Sequence, residues 1–158
     1  MLALSIGLSL PAANFTILSG RVVWVADGDS LTIAAADGQR YKVRLAGIDA
    51  PERGQSYSQQ SRQHLKALCL GKSTEVLVFL NDRYERSVGD VYCEGKNAGE
   101  DMLSHGLAWV YRPHSDRHQH YSGLKISAQA SGLGLWIDKS PMPPWEWRKQ
   151  YKQRRAVP

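Results

Sequence analysis

Three carboxylates and a guanidinium stand near one another in this chain in types suited to phosphate chemistry. Asp29 lies in Asp27-Gly28-Asp29, and Arg44, Asp49 and Glu52 lie within Arg44-Leu45-Ala46-Gly47-Ile48-Asp49-Ala50-Pro51-Glu52. Hydrolysing a phosphodiester needs a base that positions and deprotonates water, and cations that neutralise charge growing on the phosphoryl oxygens. A metal usually bridges phosphate and protein. Carboxylates are the hard oxygen donors that calcium and magnesium select, while arginine carries a permanent charge on a fork matched to phosphate. Arg86, after the turn Asp82-Arg83-Tyr84-Glu85, supplies a second guanidinium. Against this, aspartates are ordinary at corners, and Arg44 also fits a solvated strand face shared with Arg40 and Lys42. The elements that position these residues therefore matter.

Residues 20–26 are rich in valine and read as a strand, followed by Asp27-Gly28-Asp29 as a corner. Residues 30–36 and 39–45 read as two more strands joined at Asp37-Gly38, a hairpin signal. In the last strand Tyr41, Val43 and Leu45 alternate with Arg40, Lys42 and Arg44, giving one apolar and one cationic face. A two-residue loop would set Leu31 opposite Arg44 and mix the faces. A three-residue loop or bulge around residues 37–39 sets Leu31 against Leu45 and Ile33 against Val43, and burial selects that parity. Either register brings Asp29 and residues 47–52 out at one end of the hairpin.

Farther on, Ser58 predicts the N-cap of a helix over residues 59–70, closed by Gly71, with Leu65, Leu68 and Cys69 at helical spacing. Strands are expected over 74–80 and 86–93. Asn97 and Glu100 form a capping-box pattern for a short helix ending at Gly106. Residues 107–111 read as extended, and a third helix, weakened by Gly123, falls between 116 and 131. Residues 141–147 read as irregular and aromatic, and the run 149–155 as a solvated basic tail. Trp136, Trp145 and Trp147 are expected to dock the terminal segment rather than stack on bases. Short strands interrupted by helices indicate an α+β barrel rather than a parallel sheet.

A chain of 158 residues with 42% hydrophobic content suits one domain with its own core. A net charge of +5 favours polyanionic partners. Residues 1–19 begin apolar and uncharged, too short to span a bilayer. They read as the h-region of a secretory signal, hence a secreted or periplasmic protein without membrane association, or alternatively as a packed or disordered leader. Cys69 and Cys93 pair in a disulfide if the protein is exported; two buried free thiols are the other reading. His114, His118 and His120 lack a cysteine or acidic residue to complete a tetrahedral metal site and read as a solvated helix start.

The order DGDS, VRLAGIDAPE, DRYER, MLSHGLAWVY, GLW and PWEWR closely resembles the staphylococcal nuclease (thermonuclease) family, over residues 20–148. The resemblance implies an OB-fold barrel of five strands with about three helices. It also implies a monomer that cleaves DNA and RNA with Ca2+ and little sequence preference. By that resemblance Asp29 and Asp49 match the calcium-binding aspartates, and Ala50 falls where a main-chain carbonyl serves as a further ligand. Glu52 matches the general base for the attacking water, and Arg44 and Arg86 match the arginines that clamp the phosphate. Arg83 and Tyr84 match contacts near the nucleotide's phosphate, and Tyr111 a residue that stacks on base or sugar. Glu85 departs from the pattern, standing where the family commonly has glycine; it adds negative charge beside the clamp and stiffens the turn. The rival reading is the same barrel binding nucleic acid or protein without cutting. Degenerate members usually lose a carboxylate or an arginine, and none is lost here.

Overall fold

In the computed structural model, which describes residues 15–111 and 118–156, strand β1 (Thr16–Val25) pairs antiparallel with both β2 (Ser30–Ala34) and β5 (Ser73–Asn81). Strand β2 pairs with β3 (Arg40–Leu45), and β5 with β6 (Ser87–Cys93). Parallel pairing of β3 with β6 closes the ring into a five-stranded OB-fold barrel. Two short ribbons are appended: β4 (Ile48–Asp49) against β8 (Trp109–Val110), and β7 (Lys96–Asn97) against the end of β6. Strand β1 begins at Thr16, inside the stretch expected as a 1–19 leader, because Thr16–Arg21 run in register with Val78–Ser73. Residues 1–14 and His114 lie outside the described residues.

Burial follows the alternation in β2 and β3. Leu31, Ile33, Val43 and Leu45 are buried, as are Val76 and Val91 opposite them, while Arg40 and Lys42 are exposed. A slip of register between Val22 and Trp24 puts both Val22 and Val25 in the core and leaves Trp24 outside. The hairpin keeps the expected parity but shifts its partners by two residues: Leu31 faces Val43 and Ile33 faces Tyr41. The reason lies in the turn. Gly38, at φ 82°, is the third loop residue and takes the left-handed position, so the loop is Ala36-Asp37-Gly38, one residue earlier than expected.

Helix α1 (Ser58–Cys69) covers one mouth of the barrel with Leu65 and Cys69. Its N-cap is not Ser58 but Tyr57, in the left-handed region at φ 64° and without a side-chain cap. Helix α2 (Ala98–Ser104) is capped as expected, Asn97 Oδ1 accepting from the Glu100 amide at 3.1 Å. Cys69 and Cys93 are joined in a disulfide that ties the end of α1 to the end of β6. In the chain-entropy account, closing a loop of this length contributes about 3 kcal/mol. His64 of α1, His105 and Lys96 converge on Asp101 of α2 and cross-link the two helices.

Helix α3 (Tyr121–Ala130) is shorter than the 116–131 span allowed for it. His118 Nε2 lies 2.6 Å from Asp90 Oδ1, and His120 Nε2 lies 2.9 Å from Glu100 Oε1, each imidazole facing a carboxylate. The larger correction is at the end of the chain. Residues 144–156 form helix α4 (Pro144–Ala156), so the end of the stretch expected as irregular is helical, and the basic run 149–155, mostly exposed as expected, is helical too. Proline suits a first helical position because the amide it lacks has no partner there. The helix is docked by Trp145, edge-on to Trp109 at 5.8 Å; Trp109 in turn packs against Trp136 at 4.5 Å.

Candidate active site

At one end of the barrel the β1–β2 corner, the end of β3, β4 and the loop to α1 surround an open cleft of about 1010 Å³. Asp29, Arg44, Asp49, Ala50, Glu52, Arg83, Tyr84, Arg86 and Tyr111 all line it. Local packing puts the corner there. A Cβ on Gly28 would collide with the Ser61 hydroxyl of α1, so only glycine lets the corner approach the helix. The Asp29 amide then bonds Asp27 Oδ1 at 3.0 Å, and the Asp29 carboxylate turns inward.

Asp29 accepts from the Ser30 hydroxyl (2.9 Å) and, through Oδ2, from the Ala50 amide (2.7 Å), which locks the corner to the strand carrying Asp49. Arg44 bridges the two aspartates: Nη1 lies 3.0 Å from Asp29 Oδ2, and Nη2 lies 3.2 Å from Asp49 Oδ1. Its Nη2 also donates to the Ile48 carbonyl at 3.1 Å. One guanidinium spans both groups, so the carboxylates stand side by side. Asp49 is 2% exposed, and burial pushes its carboxyl above the ordinary value against the pull of neighbouring arginines. Burial, with Asp29 alongside, also lifts Asp27 to about 6.

Glu52 is half-buried at the rim, its amide held by Gln55 Oε1 at 2.9 Å. Tyr111 lines the same cleft, with the Arg44 guanidinium 5.9 Å from its ring centre. The β5–β6 turn, which also lines the cleft, presents Arg83 and Arg86 to the exposed Tyr84 ring, at 4.8 and 5.5 Å. Asp82 organises this turn by accepting from the amides of Tyr84 and Arg86 and from the Arg86 side chain.

The sequence reading missed Arg148. Carried on the second turn of α4, its Nη1 lies 2.6 Å from Glu52 Oε1 and 3.2 Å from Asp49 Oδ1, and its Nη2 lies 2.8 Å from Asp49 Oδ2. Glu52 thus pairs with Arg148 and not with Arg44 or Arg86. The hydrogen bonds that Arg148 donates to Asp49 and Glu52 raise its guanidinium above its already high value. A signal was present: PWEWR combines a helix-starting proline with tryptophans that dock.

The sequence profile of the family described as "Staphylococcal nuclease homologue" matches residues 42–138, which include Arg44, Asp49, Glu52, Arg86 and Tyr111. The chain belongs to the staphylococcal nuclease family. An "Uncharacterized endonuclease" of Haemophilus influenzae is 38% identical over 150 residues, 90% of this chain and 84% of that protein. Another so named, from Escherichia coli O157:H7, is 41% identical over 133 residues, 83% of this chain and 85% of its own. A "Staphylococcal-like nuclease" of Arabidopsis thaliana is 40% identical over 111 residues, 70% of this chain but 34% of the plant protein. This chain therefore spans nearly the whole of the bacterial relatives and about a third of the plant one.

For a staphylococcal nuclease homologue the donor set fits a hard cation. Asp29 and Asp49 offer adjacent buried carboxylates, and the described residues lining the cleft include no cysteine or histidine. All-oxygen donors suit calcium or magnesium rather than zinc.

Proposed function

We propose that this staphylococcal nuclease homologue hydrolyses phosphodiester bonds of DNA and RNA. The observation that supports it most is the meeting of Asp29, Arg44, Asp49 and Glu52 in one cleft that Arg86 also lines. Asp29, Asp49 and the Ala50 carbonyl would hold calcium, which when bound supplies Lewis-acid polarisation of the scissile phosphate. Glu52 Oε1 or Oε2 takes the proton from a water and directs it at phosphorus. Arg44 and Arg86 donate to the phosphoryl oxygens as negative charge develops, and their fixed supports reduce reorganisation during the step. Arg83 and Tyr84 contact the neighbouring phosphate, and Tyr111 offers a face to base or sugar. The basic character of the chain strengthens attraction to any polynucleotide, so binding weakens as salt rises. We further propose an oxidising location, secreted or periplasmic; the Cys69–Cys93 disulfide supports it.

The test is plasmid and RNA digestion with calcium, with chelator and with the Glu52→Gln protein. Wild type is expected to cut both substrates only with the metal, and Glu52→Gln to lose about a hundred-fold or more in rate. Undiminished cutting by Glu52→Gln would overturn the assignment. Retardation of DNA without cleavage by wild type would instead favour a binding module.

A further inference from the structure

Between them, two guanidiniums and two local donors contact all four carboxylate oxygens of Asp29 and Asp49. Arg44 takes Asp29 Oδ2 and Asp49 Oδ1; Ser30 and the Ala50 amide take Asp29; Arg148 takes both oxygens of Asp49 together with Glu52 Oε1. A dipositive cation at Asp49 needs oxygens that Arg148 covers, and Arg148 also holds one of the two Glu52 oxygens, Oε1, at 2.6 Å. Like charges repel, and Arg148 occupies both oxygens of Asp49 where Arg44 takes one, so a cation entering at Asp49 competes most directly with Arg148.

The two arginines differ in what holds them. Arg44 has a side chain 15% exposed, is rooted in a barrel strand and donates to the Ile48 carbonyl as well as to the aspartates. Arg148 has a side chain 39% exposed and rides on a terminal helix. That helix is tethered by the edge-on contact of Trp145 with Trp109 and by Gln55 Nε2 donating to the Met142 carbonyl just before it. Arg148 is the guanidinium that can leave without opening the barrel.

We propose that Arg148 is a positioning residue that exchanges with calcium: it holds Asp49 and Glu52 in place until the metal arrives and is then displaced from Asp49. This rests on the calcium-dependent reading above. While Arg148 is seated it keeps adjacent acidic groups from repelling one another and fixes the rotamer of Glu52. Calcium then binds only the fraction of molecules in which Arg148 has let go, so the apparent dissociation constant rises by the inverse of that fraction. A strap seated in about nine molecules of ten weakens apparent calcium affinity about tenfold.

The experiment is calorimetric titration of the protein with calcium chloride alone, at low ionic strength and without nucleic acid. Arg148→Gln is expected to bind calcium about tenfold more tightly than wild type, with Arg148→Lys between them because a lysine cannot fork across Asp49. Trp145→Ala, which loosens the helix and leaves Arg148 in the chain, is expected to tighten binding as well. Arg155→Ala, at the exposed far end of α4, serves as the control and binds as wild type does. Equal calcium affinity in wild type, Arg148→Gln and Trp145→Ala overturns the exchange and leaves the calcium reading standing. Calcium binding by none of them overturns both.

Discussion

Arg44 and Arg86 bring the same group to the same cleft from opposite kinds of support. Every ionic partner of Arg44 comes from another element: Asp29 from the β1–β2 corner and Asp49 from β4. Those aspartates are 6% and 2% exposed, so Arg44 offsets part of their charge away from water, with Arg148 offsetting the rest at Asp49. Arg86 is held within its own turn, Nε and Nη2 lying 2.8 and 2.7 Å from Asp82 Oδ2 four residues earlier. Slight burial works against ionising Asp82, yet hydrogen bonds from Arg86 and the turn amides bring its carboxyl below the ordinary value. In the proposed mechanism, chemistry and stability are bound together at Arg44, whereas at Arg86 they come apart.

Substituting each arginine by alanine breaks or sharpens that contrast. Arg44→Ala is expected to lose a hundred-fold or more in cleavage rate. It also takes the guanidinium from the buried Asp29 carboxylate, which keeps the Ser30 hydroxyl and the Ala50 amide, while Asp49 stays paired with Arg148, so unfolding in urea should show a loss of about 3 kcal/mol, the scale of a broken buried pair. Arg86→Ala is expected to lose a comparable factor in rate while its stability falls by less than about 1 kcal/mol, as for a half-exposed pair within one turn that water still reaches. Equal stability losses in the two variants would show that the burial contrast carries no energetic weight.

Asp82→Asn tests the turn itself and sits lower in the order, because Arg86 stays in the chain and only its aim is lost. A roughly tenfold fall in rate is expected, as for misplacement of a positioned group. The pH dependence has a definite sign. A carboxyl held below its ordinary value adds stability above pH 3.8, and that contribution disappears as pH falls further. Thermal unfolding between pH 5 and 3 should therefore fall less steeply in Asp82→Asn than in wild type; identical slopes would remove Asp82 from the account.

What the sequence made legible follows the same division between local and distant causes. Alternation in residues 39–45 is a local signal, and it put Val43 and Leu45 inside and Arg44 at the mouth. The hairpin's actual partners depend on which residue takes the left-handed loop position, and a parity argument cannot choose between registers two residues apart. Ser58 read as a cap, but the chain enters α1 through a left-handed Tyr57, and the buried serine of that helix is Ser61, bonded to the Leu107 carbonyl. Arg148 was hidden for a plainer reason. A basic run without apolar period reads as solvated, and the contacts that order α4 are distant in sequence: Asp49 and Glu52 lie 99 and 96 positions from Arg148, and Trp109 lies well before Trp145.

Glu85 offers the smallest and finest test of the Arg86 turn. It is exposed and sits at φ 59°, the left-handed region where glycine is at ease and other residues are strained by about 1–2 kcal/mol. Its amide closes the turn onto the Asp82 carbonyl at 3.0 Å, so the conformation is fixed by the turn rather than chosen by the side chain. Replacing it with glycine relieves the strain but returns about 0.5–1 kcal/mol of chain entropy to the unfolded state. A net gain of about 1 kcal/mol or less is therefore expected for Glu85→Gly, visible as a small rise in melting temperature. Glu85→Ala keeps the strain and removes only the charge beside Arg86. Both variants should bind DNA more tightly at low salt, an advantage that shrinks as salt rises, while only the glycine variant should melt higher. A higher melting temperature in both would assign the cost of Glu85 to its charge, and in neither would show that the turn bears the left-handed residue without strain.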